Sequence, residues 1–287
     1  MADYNLGCTV QLDEHHTSSD PAPGPSETLA LLTKLYDGGS IRHIQVQAVP
    51  LSRPLFQESL EGVAAAGIPS VVHAPHHSHG VNPCAPTAYD DRPAGEIAAH
   101  IEVAMSQTFE AADILGVETI VLHAGRYEPG GRFAAMEGFS RFLDAYADPR
   151  LTLENLPSVY AGYPLLGNTA GELATLAGGK ITRFCLDFPH LACTVNHRSL
   201  SFAAELERFG TLNVTLHHLS NLRRGSIHDE HLELDHPDGG LDLAAVFARL
   251  RRHPAVPVTL EYKQDVPGVY SRQVWVFAGL WEKYAGE

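Results

Sequence analysis

Six short apolar runs in this chain each end on, or directly before, a side chain able to bind a metal. They are Ser70-Val71-Val72-His73, Thr119-Ile120-Val121-Leu122-His123, Leu151-Thr152-Leu153-Glu154, Phe184-Cys185-Leu186-Asp187, Val214-Thr215-Leu216-His217-His218 and Val258-Thr259-Leu260-Glu261. Each has the length of a buried strand and leads into residues that suit a loop. If the strands lie parallel, all six tips point the same way and gather His, His, Glu, Asp, His and Glu around one point. A closed parallel barrel does this, and such barrels carry their chemistry at the C-terminal ends of the strands.

The rest of the chain fits that frame. Strands are expected near 5–10, 41–49, 69–74, 118–124, 150–155, 182–187, 212–219 and 256–262. Helical patterns fall between and after them near 26–37, 54–66, 94–115, 132–147, 169–178, 199–209, 241–252 and 271–284. Strict alternation implies parallel pairing through right-handed crossovers. Eight units predict an α/β fold, a (β/α)8 TIM barrel, as one domain over residues 1–287. Leu243, Val246, Phe247 and Leu250 recur at helical spacing, with Arg249, Arg251 and Arg252 in the last turn and Pro254 as the stop. Thr169 and Glu172 have capping-box spacing, and Gly116 suits a C-terminal cap. Two long segments, 11–25 and 75–93, follow the first and third strands and belong on the active face.

Composition sets the surroundings. Hydrophobic residues make up 44% of the 287, enough for a large core, and the net charge of −14 gives no general attraction to nucleic acid or anionic membranes. The four cysteines show no CxxC pairing, and no disulfide framework is expected. Neither a signal peptide nor a membrane span is recognisable, so a cytoplasmic setting is the default.

Imidazoles and carboxylates together suit Zn or Mn. Asp187 and His190 lie three apart after one strand, where a turn aims both inward. Asp229 and His231 lie two apart on a loop. With His73, His123, Glu154, Glu261 and one of His217 and His218, nine candidate ligands result, enough for two or three ions with bridging carboxylates. Only one of His217 and His218 can face the lumen, because a strand alternates its side chains. A single His or Glu at a strand end is ordinarily a hydrogen-bonded polar residue or a cap. Six converging on one place would carry a desolvation penalty of several kcal/mol unless something satisfied them. His76, Arg126 and Tyr127 follow ligand positions closely enough to touch a substrate. Pro129-Gly130-Gly131-Arg132 reads equally as an anion cradle and as an ordinary turn into a helix.

In these positions the chain resembles the endonuclease IV family of the xylose isomerase-like barrels. The resemblance rests on His73-Ala74-Pro75, Leu122-His123-Ala124-Gly125, Leu153-Glu154-Asn155, Cys185-Leu186-Asp187-Phe188-Pro189-His190, His218-Leu219-Ser220-Asn221, Asp229-Glu230-His231 and Leu260-Glu261, and spans about residues 69–262. It implies that His73, His123, Glu154, Asp187, His190, His218, Asp229, His231 and Glu261 hold a cluster of up to three Zn2+ ions, with Mn2+ as the alternative. It also selects His218 over His217. The implied activity is metal-dependent cleavage of a phosphodiester in abasic DNA, or of a small phosphorylated sugar. In that chemistry Glu154 bridges ions and Glu261 orients or deprotonates the nucleophile. The departures are Cys8-Thr9-Val10 in the first strand, His76 in place of an aromatic residue, and a remodelled 75–93 segment. In the family these regions contact DNA, so the metal chemistry transfers better than the DNA specificity. The alternative is a sugar isomerase or epimerase with one metal on Glu154, Asp187, His218 and Glu261, where the two glutamates move a proton. The sequence leaves the oligomeric state open.

Overall fold

In the computed structural model, which describes residues 3–12, 27–262 and 267–286, eight parallel strands close into a barrel. In chain order the strands are β1 (Leu6–Gln11), β2 (His43–Gln47), β3 (Ser70–His73), β4 (Ile120–Leu122), β5 (Leu151–Glu154), β6 (Val159–Tyr160), β7 (Tyr163–Pro164), β8 (Arg183–Asp187), β9 (Val214–Leu219) and β10 (Val258–Leu260). β6 and β7 form a small antiparallel hairpin outside the barrel. The other eight run β1-β2-β3-β4-β5-β8-β9-β10 and return to β1. The helices are α1 (Glu27–Asp37), α2 (Arg53–Ala65), α3 (Ala94–Ile114), α4 (Arg132–Ala145), α5 (Ala170–Ala177), α6 (Phe188–Arg198), α7 (Phe202–Arg208), α8 (Leu243–Arg252) and α9 (Pro267–Lys283). The expected (β/α)8 architecture is the one found. Among the described residues no helix is long and apolar enough to cross a membrane.

Strand parity divides the side chains into two environments. Val72, Leu122, Leu153, Leu186, Leu219 and Leu260 point outward and join the main core between strands and helices. Val71, Val121, Cys185 and Leu216 form a separate buried cluster. Each of these four lies two residues before His73, His123, Asp187 or His218, so it shares a face with that ligand. Beneath the polar mouth the lumen therefore has a floor of these four apolar side chains, joined by the buried Thr152 and Thr259 two residues before Glu154 and Glu261. His217, at odd parity, leaves the lumen and stacks on Phe188 of α6, with ring centroids 5.3 Å apart and planes 10° apart.

Local signals explain most element ends. The Thr169 side chain accepts from the Glu172 N–H, and the Glu172 carboxylate accepts from the Asn168 N–H, one residue before the cap. Gly116 takes the left-handed conformation (φ 62°) just after α3. The stretch after Asp187 differs from expectation. In place of a turn and one helix over 199–209, α6 starts immediately after β8 and α7 follows it. Pro189 is the reason the pattern misleads. It stands in the first turn of α6, where a missing N–H breaks no intrahelical bond. Residues 13–25 of the first long segment lie outside the described residues. The second long segment contains a single 3-10 turn, His77–His79.

Candidate metal centre

Glu154, at the tip of β5, is the hub. It is fully buried and faces four imidazoles. Its Oε2 lies 2.9 Å from His123 Nε2 and 3.3 Å from His73 Nε2. Its Oε1 lies 3.1 Å from His218 Nδ1 and 3.3 Å from His190 Nδ1. Three donor sets share this carboxylate. His73, His123 and Glu154 offer atoms all within 4.8 Å of one another, as do Glu154, Asp187, His218 and Glu261, and Glu154, Cys185 and His218. A further group stands beside them, where Asp229 Oδ2 touches His231 Nε2 and lies 3.6 Å from His190 Nε2.

Backbone geometry aims these side chains. Asp187 caps α6 and accepts the His190 N–H, so cap and first turn place both residues at the mouth. His231 has a left-handed backbone (φ 49°), unusual for a residue other than glycine. The next residue fixes it there: Leu232 and Asn221 exchange two backbone hydrogen bonds of 2.7 Å. Strain of this kind persists where surrounding structure enforces it, commonly at functional sites.

The far side of each ring settles which nitrogen faces inward. His73 Nδ1 donates to the Ala74 carbonyl (2.7 Å), His190 Nδ1 to that of Asn155 (2.8 Å) and His231 Nδ1 to that of Glu261 (3.0 Å). His73 and His231 thereby leave Nε2 to coordinate, the usual arrangement of metal-binding histidines; His190 Nδ1 also faces Glu154, and its Nε2 faces Asp229. His218 is turned the other way. Its Nε2 lies 2.8 Å from Gln45 Oε1, which leaves Nδ1 for the centre, and the Gln45 amide donates to Glu261 Oε1. Gln45, fully buried in β2, thus ties a ligand to the proposed catalytic carboxylate. Sequence reasoning missed it. The available signal was a row of polar residues, His43, Gln45 and Gln47, at alternate positions of one buried strand.

The charges require cations. Burial pushes Glu154 up, but His218 and His123 outweigh it and hold the carboxyl well below the usual range. Burial pushes Asp187 up to about 7; His190 opposes this, while Glu154, Asp229 and Glu261 add to it. Burial presses His190 down, yet Asp187, Asp229 and Glu154 carry it well above its ordinary value. His218 behaves likewise, raised by Cys185, Glu261 and Glu154 against the effect of burial. Burial lowers His123, so protons on His190 and His218 only partly offset four crowded carboxylates. Divalent ions would offset them while displacing those protons, so the donor set fits metal.

A cleft of about 320 Å³ opens above the centre, lined by His76, His77, His79, Leu156, Pro157, Tyr160 and Tyr262 beside the ligands. All nine predicted ligands converge here. His76 lines the cleft, its ring 5.1 Å from that of His123. Arg126 is not among the lining residues, but its backbone is bridged to Leu165, which is. Tyr127 does not join them; it lines a separate apolar cleft of about 580 Å³ between α3 and α4. Gly131, the N-cap of α4, also borders that outer cleft and has no side-chain cap, and Arg132 pairs with Glu172.

Residues 34–276 match the family model described as xylose isomerase-like TIM barrel. No curated protein matches the chain. Among solved structures, a D-tagatose 3-epimerase-like protein is similar with a TM-score of 0.68 at 15% identity, covering 98% of both chains. Endonuclease IV from Thermus thermophilus is similar at 0.63 and 21% identity, over 97% of this chain and 99% of that one. The TTHB071 protein from the same organism, soaked with ZnCl2, is similar at 0.58 and 18% identity, over 96% and 98%. At such identities the likeness establishes the fold alone.

Proposed function

The chain belongs to the xylose isomerase-like TIM barrel family, and from that premise we propose that it is a metal-dependent phosphoester hydrolase. Its cofactor is Zn2+, as many as three ions, with Mn2+ as the alternative. The observation that carries this reading is the further donor group of His190, Asp229 and His231, in reach of a centre that Glu154, Asp187, His218 and Glu261 already complete for one ion. Polarising a carbonyl takes as few as one ion. Several ions can stabilise charge on both the attacking and the leaving oxygen of a phosphoester. Bound divalent ions supply Lewis acidity to the phosphoryl group and lower the pKa of water.

The protein's own residues do the rest. With its two oxygens Glu154 spans the donor sets that share it. Glu261 is the hub carboxylate with the most solvent access, its side chain 15% exposed against 1% for Glu154. It stands where water enters from the cleft and is placed to take a proton from the attacking water. Gln45 holds Glu261 and His218 in fixed orientation. The floor of Val71, Val121, Cys185 and Leu216 excludes water from below. The substrates to try are abasic DNA and small phosphorylated sugars.

The second reading, a sugar isomerase or epimerase, draws on the completeness of the four-residue set by itself. The decisive experiment counts ions by anomalous scattering and assays the purified protein with and without chelator. The panel holds an activated phosphodiester, an abasic duplex and free ketoses. Multiple ions with chelator-sensitive hydrolysis support the proposal. One ion with ketose isomerisation and no hydrolysis would sink it.

A further inference from the structure

Among the described residues, those lining the cleft above the centre include no lysine or arginine. Beside it the fold holds Arg126 with unusual care, its backbone bridged to the lining residue Leu165. Arg126 follows the ligand His123 by three residues. Asn82 clamps its backbone from both sides: the Asn82 Oδ1 accepts the Arg126 N–H at 2.9 Å, and the Asn82 Nδ2 donates to the Arg126 carbonyl at 2.9 Å. Gly125 permits this approach, because a Cβ there would lie 2.2 Å from Asn82 Oδ1. The β6–β7 hairpin grips the next residues, with Tyr127 N–H on the Pro164 carbonyl at 3.0 Å. The guanidinium is stacked against two rings, 4.9 Å from the centroid of Tyr89 and 5.1 Å from that of Tyr163.

All this fixes a guanidinium that has no acid to neutralise. Arg92, Arg132 and Arg223, on neighbouring segments, each hold a carboxylate. Arg126 forms no ion pair among the described residues, and its Nε is buried without a hydrogen-bond partner. A second orphan stands nearby. His77 lines the cleft, its ring 5.4 Å from Tyr160 of the same hairpin, and both of its ring nitrogens are buried without partners. The Arg126 charge reaches it. Rigid, stacked, unpaired donors describe a prepared anion site.

We propose that Arg126, with His77 beside it, forms a subsite for a second phosphate group of a small phosphorylated substrate, distinct from the phosphate at the metal centre. This rests on the phosphoester reading. Nucleic acid is disfavoured because backbone binding needs many cationic contacts, and among the described residues no lysine or arginine lines the cleft of about 320 Å³.

The test uses non-hydrolysable hexose analogues carrying one or two phosphonates, with binding to the metal-loaded protein measured by calorimetry. The bisphosphonate should bind about tenfold or more tightly than the monophosphonate, the worth of a charge-assisted hydrogen bond. Arg126→Ala should bring that ratio near one. Arg126→Lys should retain part of it, since the charge remains while the planar stacking is lost; this variant also serves if the alanine protein does not fold. A ratio near one in the unaltered protein, a ratio insensitive to Arg126→Ala, or an equal loss for both analogues overturns the subsite. So does an abasic duplex that outcompetes the bisphosphonate with the steep salt dependence of many phosphate contacts. Because binding is read without turnover, these outcomes are separate from a failure of the hydrolase reading, which only the chelator-controlled assays test.

Discussion

His217 and His218 are adjacent in β9, equally buried, and in opposite situations. His218 faces the lumen, where Cys185, Glu261 and Glu154 overcome burial to raise its affinity for protons and Gln45 fixes its tautomer. His217 faces the layer between barrel and helices. There burial, joined by Arg249, His253 and His218, depresses it to about 3, and neither ring nitrogen has a hydrogen-bond partner. The mouth of the lumen is a place where imidazoles and carboxylates face one another in sets that could hold a metal ion. The outer layer is an apolar core that tolerates one imidazole as a flat filler on Phe188. Parity of one strand, and nothing else in the local sequence, separates the two roles.

The largest effect should come from the hub. Glu154→Gln keeps the shape but halves the charge-bearing oxygens shared by the donor sets. Turnover should fall by on the order of a thousandfold or more, with metal content reduced by at least one ion per chain. Elemental analysis alongside rate measurement checks this, and a variant that keeps both full metal and full rate removes Glu154 from the centre.

Gln45→Ala comes next. It frees the Nε2 of His218 and one oxygen of Glu261 together. Loss of an outer-shell partner of this kind typically costs about 10–100-fold in metal affinity or activity. Chelator competition measures the affinity, and imidazole nitrogen shifts report which His218 nitrogen carries the proton. A tautomer unchanged by the substitution would show that Gln45 does not set it.

Much of this contrast was legible from the residues. The six strand-end positions predicted the barrel because each element is written locally, in apolar runs of strand length with ligands at a fixed offset. Asp187 and His190 were legible as a pair, but α6 between them and the next helix was not. Pro189 looks like a break until its place in the first turn is known. Gln45 was not legible either. Its role depends on a partner 173 residues away across the barrel, and nothing near Gln45 announces His218. The choice between His217 and His218 needed the resemblance, since both satisfy the strand pattern and only closure of the barrel fixes the parity. Arg126 and Tyr127 looked alike as neighbours of His123, and the backbone turn at Gly125 with the clamp from Asn82 separates them, Arg126 stacking on Tyr89 and Tyr163 while Tyr127 lines the outer cleft.

The smallest effect sharpens the other side of the comparison. His217→Leu replaces an imidazole with an apolar side chain of similar size in an apolar layer. Metal content and turnover should stay as they are, because His217 touches no ligand ring inside the lumen. Stability at pH 7 should rise by about 1 kcal/mol, since two buried unpartnered nitrogens are removed. The pH dependence follows from the depressed value. In the unfolded chain His217 takes a proton near 6.5, whereas in the fold it resists protonation down to about 3. Between those values the unfolded state binds more protons, so stability rises with pH and is lost as pH falls below about 6.5. His217 alone would account for about 2 kcal/mol of loss by pH 5. The leucine variant lacks this contribution, so its advantage should widen by about that amount between pH 7 and pH 5. Urea unfolding at both pH values measures it. An advantage that stays flat across the interval would mean that His217 protonates in the folded protein, and that the outer layer is wetter than its packing on Phe188 implies.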